Sequence, residues 1–113
     1  MTIKAINAGL SVSPQILPDD VAAIAAAGFR SVVCNRPDGE GADPPAFAAI
    51  EAAARAAGLQ AAYLPVVSGQ VKDADVEAVA TLFATLPKPV FAYCRSGTRS
   101  ATLWSLAKPQ MAG

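Results

Sequence analysis

The chain has 113 residues, with nine Lys and Arg against nine Asp and Glu and no histidine. Zero net charge without a basic cluster argues against nucleic acid and anionic membrane surfaces as partners. The missing histidines exclude Ser-His-Asp and Cys-His nucleophile activation within this chain. They also disfavour a zinc site, since two distant cysteines leave most ligand positions empty.

Residues 9–15 alternate polar and apolar and predict a short, partly exposed strand. Pro18-Asp19-Asp20 opens a helix that continues through Ala27 and stops at Gly28. Ser31–Asn35 reads as a strand, and Arg36-Pro37-Asp38-Gly39-Glu40-Gly41 as a turn-rich loop. Pro45–Ala57 predicts a second helix ended by Gly58, and residues 59–66 contain the next strand. Asp73–Leu86 predicts a third helix with an apolar face of Val76, Val79, Ala80, Leu82, Phe83 and Leu86. Asp73 and Asp75 sit where helix caps belong. Residues 90–93 form the last strand, and a helix begins near Thr98.

This alternation implies one α/β domain over residues 1–113. Its expected form is a three-layer sandwich with a mainly parallel sheet of four to five strands flanked by helices. In such sheets ligands bind beyond the carboxyl ends of the strands. Cys94, Cys34-Asn35-Arg36 and Pro65–Gln70 all fall at such ends. The first residues lack the pattern of a signal peptide and no apolar run reaches 18 residues, so a cytoplasmic protein is expected.

The chemistry concentrates in Tyr93-Cys94-Arg95-Ser96-Gly97-Thr98-Arg99-Ser100. The amides of Arg95, Ser96, Gly97, Thr98 and Arg99 can curl around the sulfur, Gly97 supplying the unusual backbone angle. A helix beginning near Thr98 points its positive end at Cys94, favouring the thiolate. The same donors bind an oxyanion, and Arg99 can fork onto two of its oxygens. Ser100 is expected to bring a hydroxyl near the sulfur. Arg36 is a second candidate anion contact, or else half of an ordinary turn with Asp38. Cys34 reads as a small core residue, with resolution of an oxidised Cys94 as the alternative.

Four segments carry a resemblance: Val12-Ser13-Pro14-Gln15, Asn35-Arg36-Pro37-Asp38-Gly39-Glu40, Leu64-Pro65-Val66 and Cys94–Ser100. The second and fourth are the specific ones. Over most of its length the chain resembles the phosphatase-like domain of beta-lactamase-hydrolase-like proteins. That family is similar in fold to small dual-specificity phosphatases, and some members are labelled sulfur transferases or are fused to metallo-β-lactamase-type domains. The resemblance implies a cysteine-phosphatase-like fold, Cys94 as nucleophile and Arg99 as anion clamp. Family members carry a further C-terminal helical segment. The resemblance therefore implies either a truncation here or apolar surface around Leu103, Trp104 and Leu106 that a homodimer would cover.

Two departures pull the other way. Four residues separate Cys94 from Arg99, one fewer than in most cysteine phosphatases, and Tyr93 stands where they usually have histidine. Both traits are typical of rhodaneses, which carry a persulfide. A phosphatase also needs an acid to protonate the leaving oxygen. Pro65–Gln70 contains none, so Asp38 is the first candidate and Glu40 the second. Three functions stay open: phosphomonoester hydrolysis through a covalent Cys94 intermediate, rhodanese-type sulfur transfer, and a non-catalytic anion-binding module. Each takes a small anionic ligand, a phosphate ester or thiosulfate and its persulfide product. None calls for a cofactor or metal.

Overall fold

The computed structural model describes residues 3–42 and 44–110, without the side chain of Gln110. Met1 and Thr2 of the leader reading, and Met111–Gly113 of the tail, lie outside the described residues.

The sheet has five strands: β1 (Lys4–Asn7), β2 (Leu10–Ser13), β3 (Ser31–Cys34), β4 (Gln60–Tyr63) and β5 (Val90–Tyr93). Their spatial order is β1-β2-β5-β3-β4. β1 pairs antiparallel with β2, and every other pairing is parallel. The helices are α1 (Val21–Ala26), α2 (Phe47–Ala56), α3 (Asp73–Thr85) and α4 (Thr98–Ala107).

The period of two in a strand sends alternate residues to opposite faces. Along β5, Val90 and Ala92 pack with Val79, Phe83, Leu103 and Trp104 of α3 and α4. Phe91 and Tyr93 pack on the other face with Val21, Ile24, Phe47 and Ile50 of α1 and α2. The expected three layers are therefore present, with β5 buried at their centre. Among the described residues no helix is long and apolar enough to cross a membrane.

Four local readings change. β2 is wholly buried, Ser11 and Ser13 included, because β1 covers its outer edge and both faces are packed. β1 itself was missed. The second helix starts at Phe47 rather than Pro45, since Ala46 is still extended at φ −64°, ψ 154°. A 3-10 turn over Pro18–Asp20 precedes α1, with the Asp20 carboxylate accepting the Leu17 N–H at 2.8 Å. Asp75 caps α3 as read, accepting the Lys72 N–H at 2.9 Å.

The apolar surface expected on the last helix is mostly absent. Leu103 and Trp104 are fully buried against α3, and Phe83 meets the Trp104 ring edge-on at 6.1 Å. Of the three residues named, Leu106 alone is exposed.

Phe91 is fully buried and meets Phe29 edge-on at 5.2 Å. Phe91→Ala should lower unfolding free energy by about 3–5 kcal/mol, read as a lower urea midpoint at unchanged slope.

Candidate active site

The chain leaves β5 still hydrogen-bonded to its neighbour. Cys94 N–H donates to the Ser13 carbonyl at 3.3 Å, and Gln15 N–H donates to the Arg95 carbonyl at 3.2 Å. Gly97 then turns the chain into α4 at φ +87°, a conformation that costs other residues but not glycine. A Cβ there would also lie 3.3 Å from the Ser13 carbonyl carbon, so the loop is pressed against the end of β2.

The sulfur of Cys94 has no accessible surface. It accepts the Gly97 N–H at 3.1 Å and the Ser100 N–H at 3.5 Å. The expected ring of five amides is thus reduced: of those, Gly97 bonds the sulfur, while the Thr98 N–H turns to Ser96 Oγ at 3.4 Å. Ser100 contributes its amide rather than its hydroxyl. A serine has one O–H to give, and Ser100 gives it to Asn35 Oδ1 at 3.0 Å.

Asn35 is a residue the sequence reading passed over as a strand end. It is fully buried. Its Oδ1 also accepts the Trp104 indole N–H at 3.1 Å, and its Nδ2 donates to the Leu64 carbonyl at 3.0 Å. Its backbone receives the Val66 N–H at 3.0 Å and donates to the Tyr93 carbonyl at 2.9 Å. One side chain thereby fixes α4 against the segment that follows β4.

That segment holds Arg99. Arg99 Nη1 donates to the Val66 carbonyl at 3.0 Å and Nη2 to Glu40 Oε1 at 2.8 Å. Its Nε is buried with no partner among the described residues, on a side chain only 8% exposed. Arg36 does not reach outward as an anion contact. Its Nε holds the same Glu40 oxygen at 3.2 Å and its Nη1 donates to Gln15 Oε1 at 3.1 Å. The Arg99 hydrogen bond, against a smaller opposing effect of burial, holds the Glu40 carboxyl below the usual glutamate range.

Asp38, the first candidate acid, is turned elsewhere. Its Oδ1 accepts the Phe47 N–H at 2.8 Å, at the start of α2. Its own N–H donates to the Tyr63 hydroxyl at 2.8 Å, and the Phe47 and Tyr63 rings stack at 5.0 Å. Helix N-termini attract carboxylates, and this one competes successfully with the loop over Cys94. Glu40, two residues on, is the acid that faces Arg99.

Cys34 belongs to the core layer of α1 and α2, where its thiol donates to the Arg36 carbonyl at 3.1 Å. Burial pushes that thiol up, and burial together with Cys34 pushes the neighbouring Tyr93 phenol up as well. This is the core reading of Cys34, with nothing directing it toward Cys94. A cavity of about 830 Å³ opens beside Arg99, and its walls include Glu40, Val67, Val71, Arg95, Ser96 and Thr98. Gly97 instead borders a smaller hollow of about 300 Å³ on the β2 side of the loop.

The fold and this strand–loop–helix define a phosphatase-like α/β sandwich. The chain belongs to the family of the beta-lactamase hydrolase-like protein, phosphatase-like domain, whose pattern matches residues 2–111. It is 38% identical over 108 residues to a beta-lactamase hydrolase-like protein of Xylella fastidiosa, matching 96% of this chain and 25% of that one. The chain thus spans about a quarter of the length of the curated relatives it matches. A crystal structure from Neisseria meningitidis, provisionally described as a phosphatase, is 37% identical with a TM-score of 0.86. That match covers 92% of this chain and 74% of the other. TpbA of P. aeruginosa, crystallised as a cysteine-to-serine variant with pTyr, shares the fold at 18% identity and TM-score 0.65, over 96% of this chain and 70% of that one.

Two outcomes are expected. Asn35→Leu strands the Ser100 hydroxyl and the Trp104 indole N–H without their acceptor. Stability should fall by about 1–3 kcal/mol for each unmet group, measured by denaturant unfolding. Glu40 has its folded value lowered, so its ion pairs stabilise fully above the ordinary glutamate range and are lost as pH falls through the lowered value. Between about pH 6 and pH 3 the unaltered chain should lose more stability than Glu40→Gln, followed by Trp104 fluorescence.

Proposed function

We propose that the chain is a cysteine-dependent phosphatase-like hydrolase. Cys94 is the nucleophile, and Arg99 with the amides at the start of α4 binds the phosphoryl oxygens. The observation that carries this reading is the Nε–H of Arg99, which has no partner among the described residues, a buried cation donor adjoining a helix start whose amides bond the sulfur. A buried donor without a partner costs free energy unless a ligand meets it, and an oxyanion does so with charge assistance. The phosphotyrosine bound by TpbA supports a phosphate ester as the substrate class.

In the reaction, the thiolate attacks phosphorus and displaces the ester oxygen with its bonding pair, and water then cleaves the S–P bond of the phosphocysteine, releasing phosphate and returning the thiolate. The amides and Arg99 stabilise charge on the three equatorial oxygens as it redistributes. Sulfur transfer is the second reading. It is favoured by the four-residue gap between Cys94 and Arg99, which makes a tight loop, and by sulfite's ability to leave as an anion.

Hydrolysis of 4-nitrophenyl phosphate should vanish in Cys94→Ser. Arg99→Lys should raise KM and lower kcat together, because a lysine cannot hold Val66 and Glu40 and still aim a fixed N–H at the phosphoryl oxygens. Incubation with thiosulfate, followed by intact mass, separates the readings. A gain of one sulfur that disappears in Cys94→Ala, without phosphatase activity, would reverse their order.

A further inference from the structure

Arg36 lines no part of the cavity wall, although Glu40 and Arg99 do. It sits behind them, its side chain 10% exposed, and ties separate parts of the site together. Nη1 donates to the side chain of Gln15, whose own N–H donates to the Arg95 carbonyl at the start of the Cys94 loop. Nε donates to Glu40 Oε1, the oxygen that also accepts Arg99 Nη2. The contacts run in a ring, from the loop through Gln15, Arg36 and Glu40 to Arg99 on the helix that the loop opens. Space around the guanidinium is used up as well, since a Cβ on Gly41 would lie 2.9 Å from Arg36 Nη2.

Glu40 acts on Arg99 in two opposing ways. It fixes orientation: with Nη2 on Glu40 and Nη1 on the Val66 carbonyl, the planar guanidinium has one direction left for its Nε–H. It also cancels charge: a carboxylate 2.8 Å from a guanidinium leaves little field for an approaching anion. The Glu40 carboxyl is held below its usual range, so this negative charge is present at neutral pH. A second guanidinium on the same oxygen removes the conflict. Arg36, Glu40 and Arg99 together carry two positive charges and one negative, while Arg99 stays held in place.

We propose that Arg36 and Glu40 are positioning residues of the anion site, Glu40 setting the direction of Arg99 and Arg36 returning the positive charge that Glu40 takes away. The proposal rests on the reading above of Arg99 as the clamp for phosphoryl oxygens. It gives opposite signs to two substitutions that a purely structural brace would weaken alike. The three groups carry a net charge of +1 in the unaltered chain, 0 in Arg36→Gln, +2 in Glu40→Gln and +1 again in the double variant.

The probe is inorganic phosphate, its dissociation constant read by calorimetry on the full chain at low ionic strength. Arg36→Gln should weaken phosphate binding about 3–10-fold, and Glu40→Gln should tighten it by about the same factor. The double variant should return to within about twofold of the unaltered chain. Arg36→Lys keeps the charge and should bind phosphate as the unaltered chain does. Arg55→Gln removes a charge from the last turn of α2 and should leave the constant unchanged. Turnover of 4-nitrophenyl phosphate separates orientation from charge. Glu40→Gln keeps an acceptor oxygen for Arg99 and Glu40→Ala keeps none, so kcat should be about 10–100-fold lower in the alanine variant than in the glutamine one.

Shifts of the same sign in Arg36→Gln and Glu40→Gln, or no shift, overturn the charge role. Equal kcat in Glu40→Ala and Glu40→Gln overturns the positioning role. Should Arg36→Gln fail to fold, Glu40→Gln decides the charge role by its sign alone. Phosphate binding in the expected pattern without Cys94-dependent hydrolysis leaves the charge balance standing and removes the phosphatase reading, and with it the positioning role. No phosphate binding by the unaltered chain removes the reading and the proposal together.

Discussion

The side chain of Asn35 is the joint on which the site depends. It satisfies a hydroxyl from one turn of α4 and an indole N–H from the next, while its amide nitrogen reaches the chain beyond β4. Each of these groups is buried, so each would be expensive to leave unmet. Because Asn35 sits at the end of β3, directly beside β5, it transmits the position of the central sheet to the helix that carries Arg99 and to the carbonyl of Val66 that holds it. The position of the Arg99 guanidinium thus follows from the packing of one buried, uncharged amide.

Much of this architecture was legible from local pattern. The apolar run over Val90–Tyr93, the cysteine, the glycine and the helix beyond announce a strand–loop–helix, and the loop begins and ends where expected. Gly28 and Gly58 follow the helices they terminate in left-handed conformations, at φ +99° and +83°. What pattern could not supply was partnership across the chain. Asn35 finds Ser100 and Trp104 at separations of 65 and 69 residues, and no local spacing rule joins it to either. Likewise Asp38 and Glu40 share one short loop. Which of them faces Arg99 is decided by the start of α2, which claims the Asp38 carboxylate through Phe47. β1 escaped notice because four residues with polar ends carry too little alternation to register, and it covers the outer edge of β2 beside Ser11.

The electrostatics follow from the same partnerships. Among the described residues, three arginines and one glutamate are assembled at this rim, and the glutamate is shared between two of the arginines. Arg36, itself held by Gln15, acts on the site through Glu40 rather than by reaching solvent. Glu40 in turn steadies the outer nitrogen of Arg99 while the carbonyl of Val66 steadies the other, leaving Nε as the direction in which the guanidinium is unsatisfied. Mutual neutralisation keeps a cluster of like charges tolerable in a partly buried setting.

The pairing of β2 with β5 continues past both strands, through Cys94 to Ser13 and Gln15 to Arg95, so the first half of the loop is an extension of the sheet. Its order is established when the chain folds, so an anion bound as proposed would meet donors that have already lost their conformational freedom. Preorganisation of this kind lowers the entropic cost of association. For an anion bound there as proposed, ligand affinity and folding become linked: a substitution in β2 far from the guanidinium would weaken binding to the extent that it loosens the sheet, and the bound anion would tighten the sheet by the same amount.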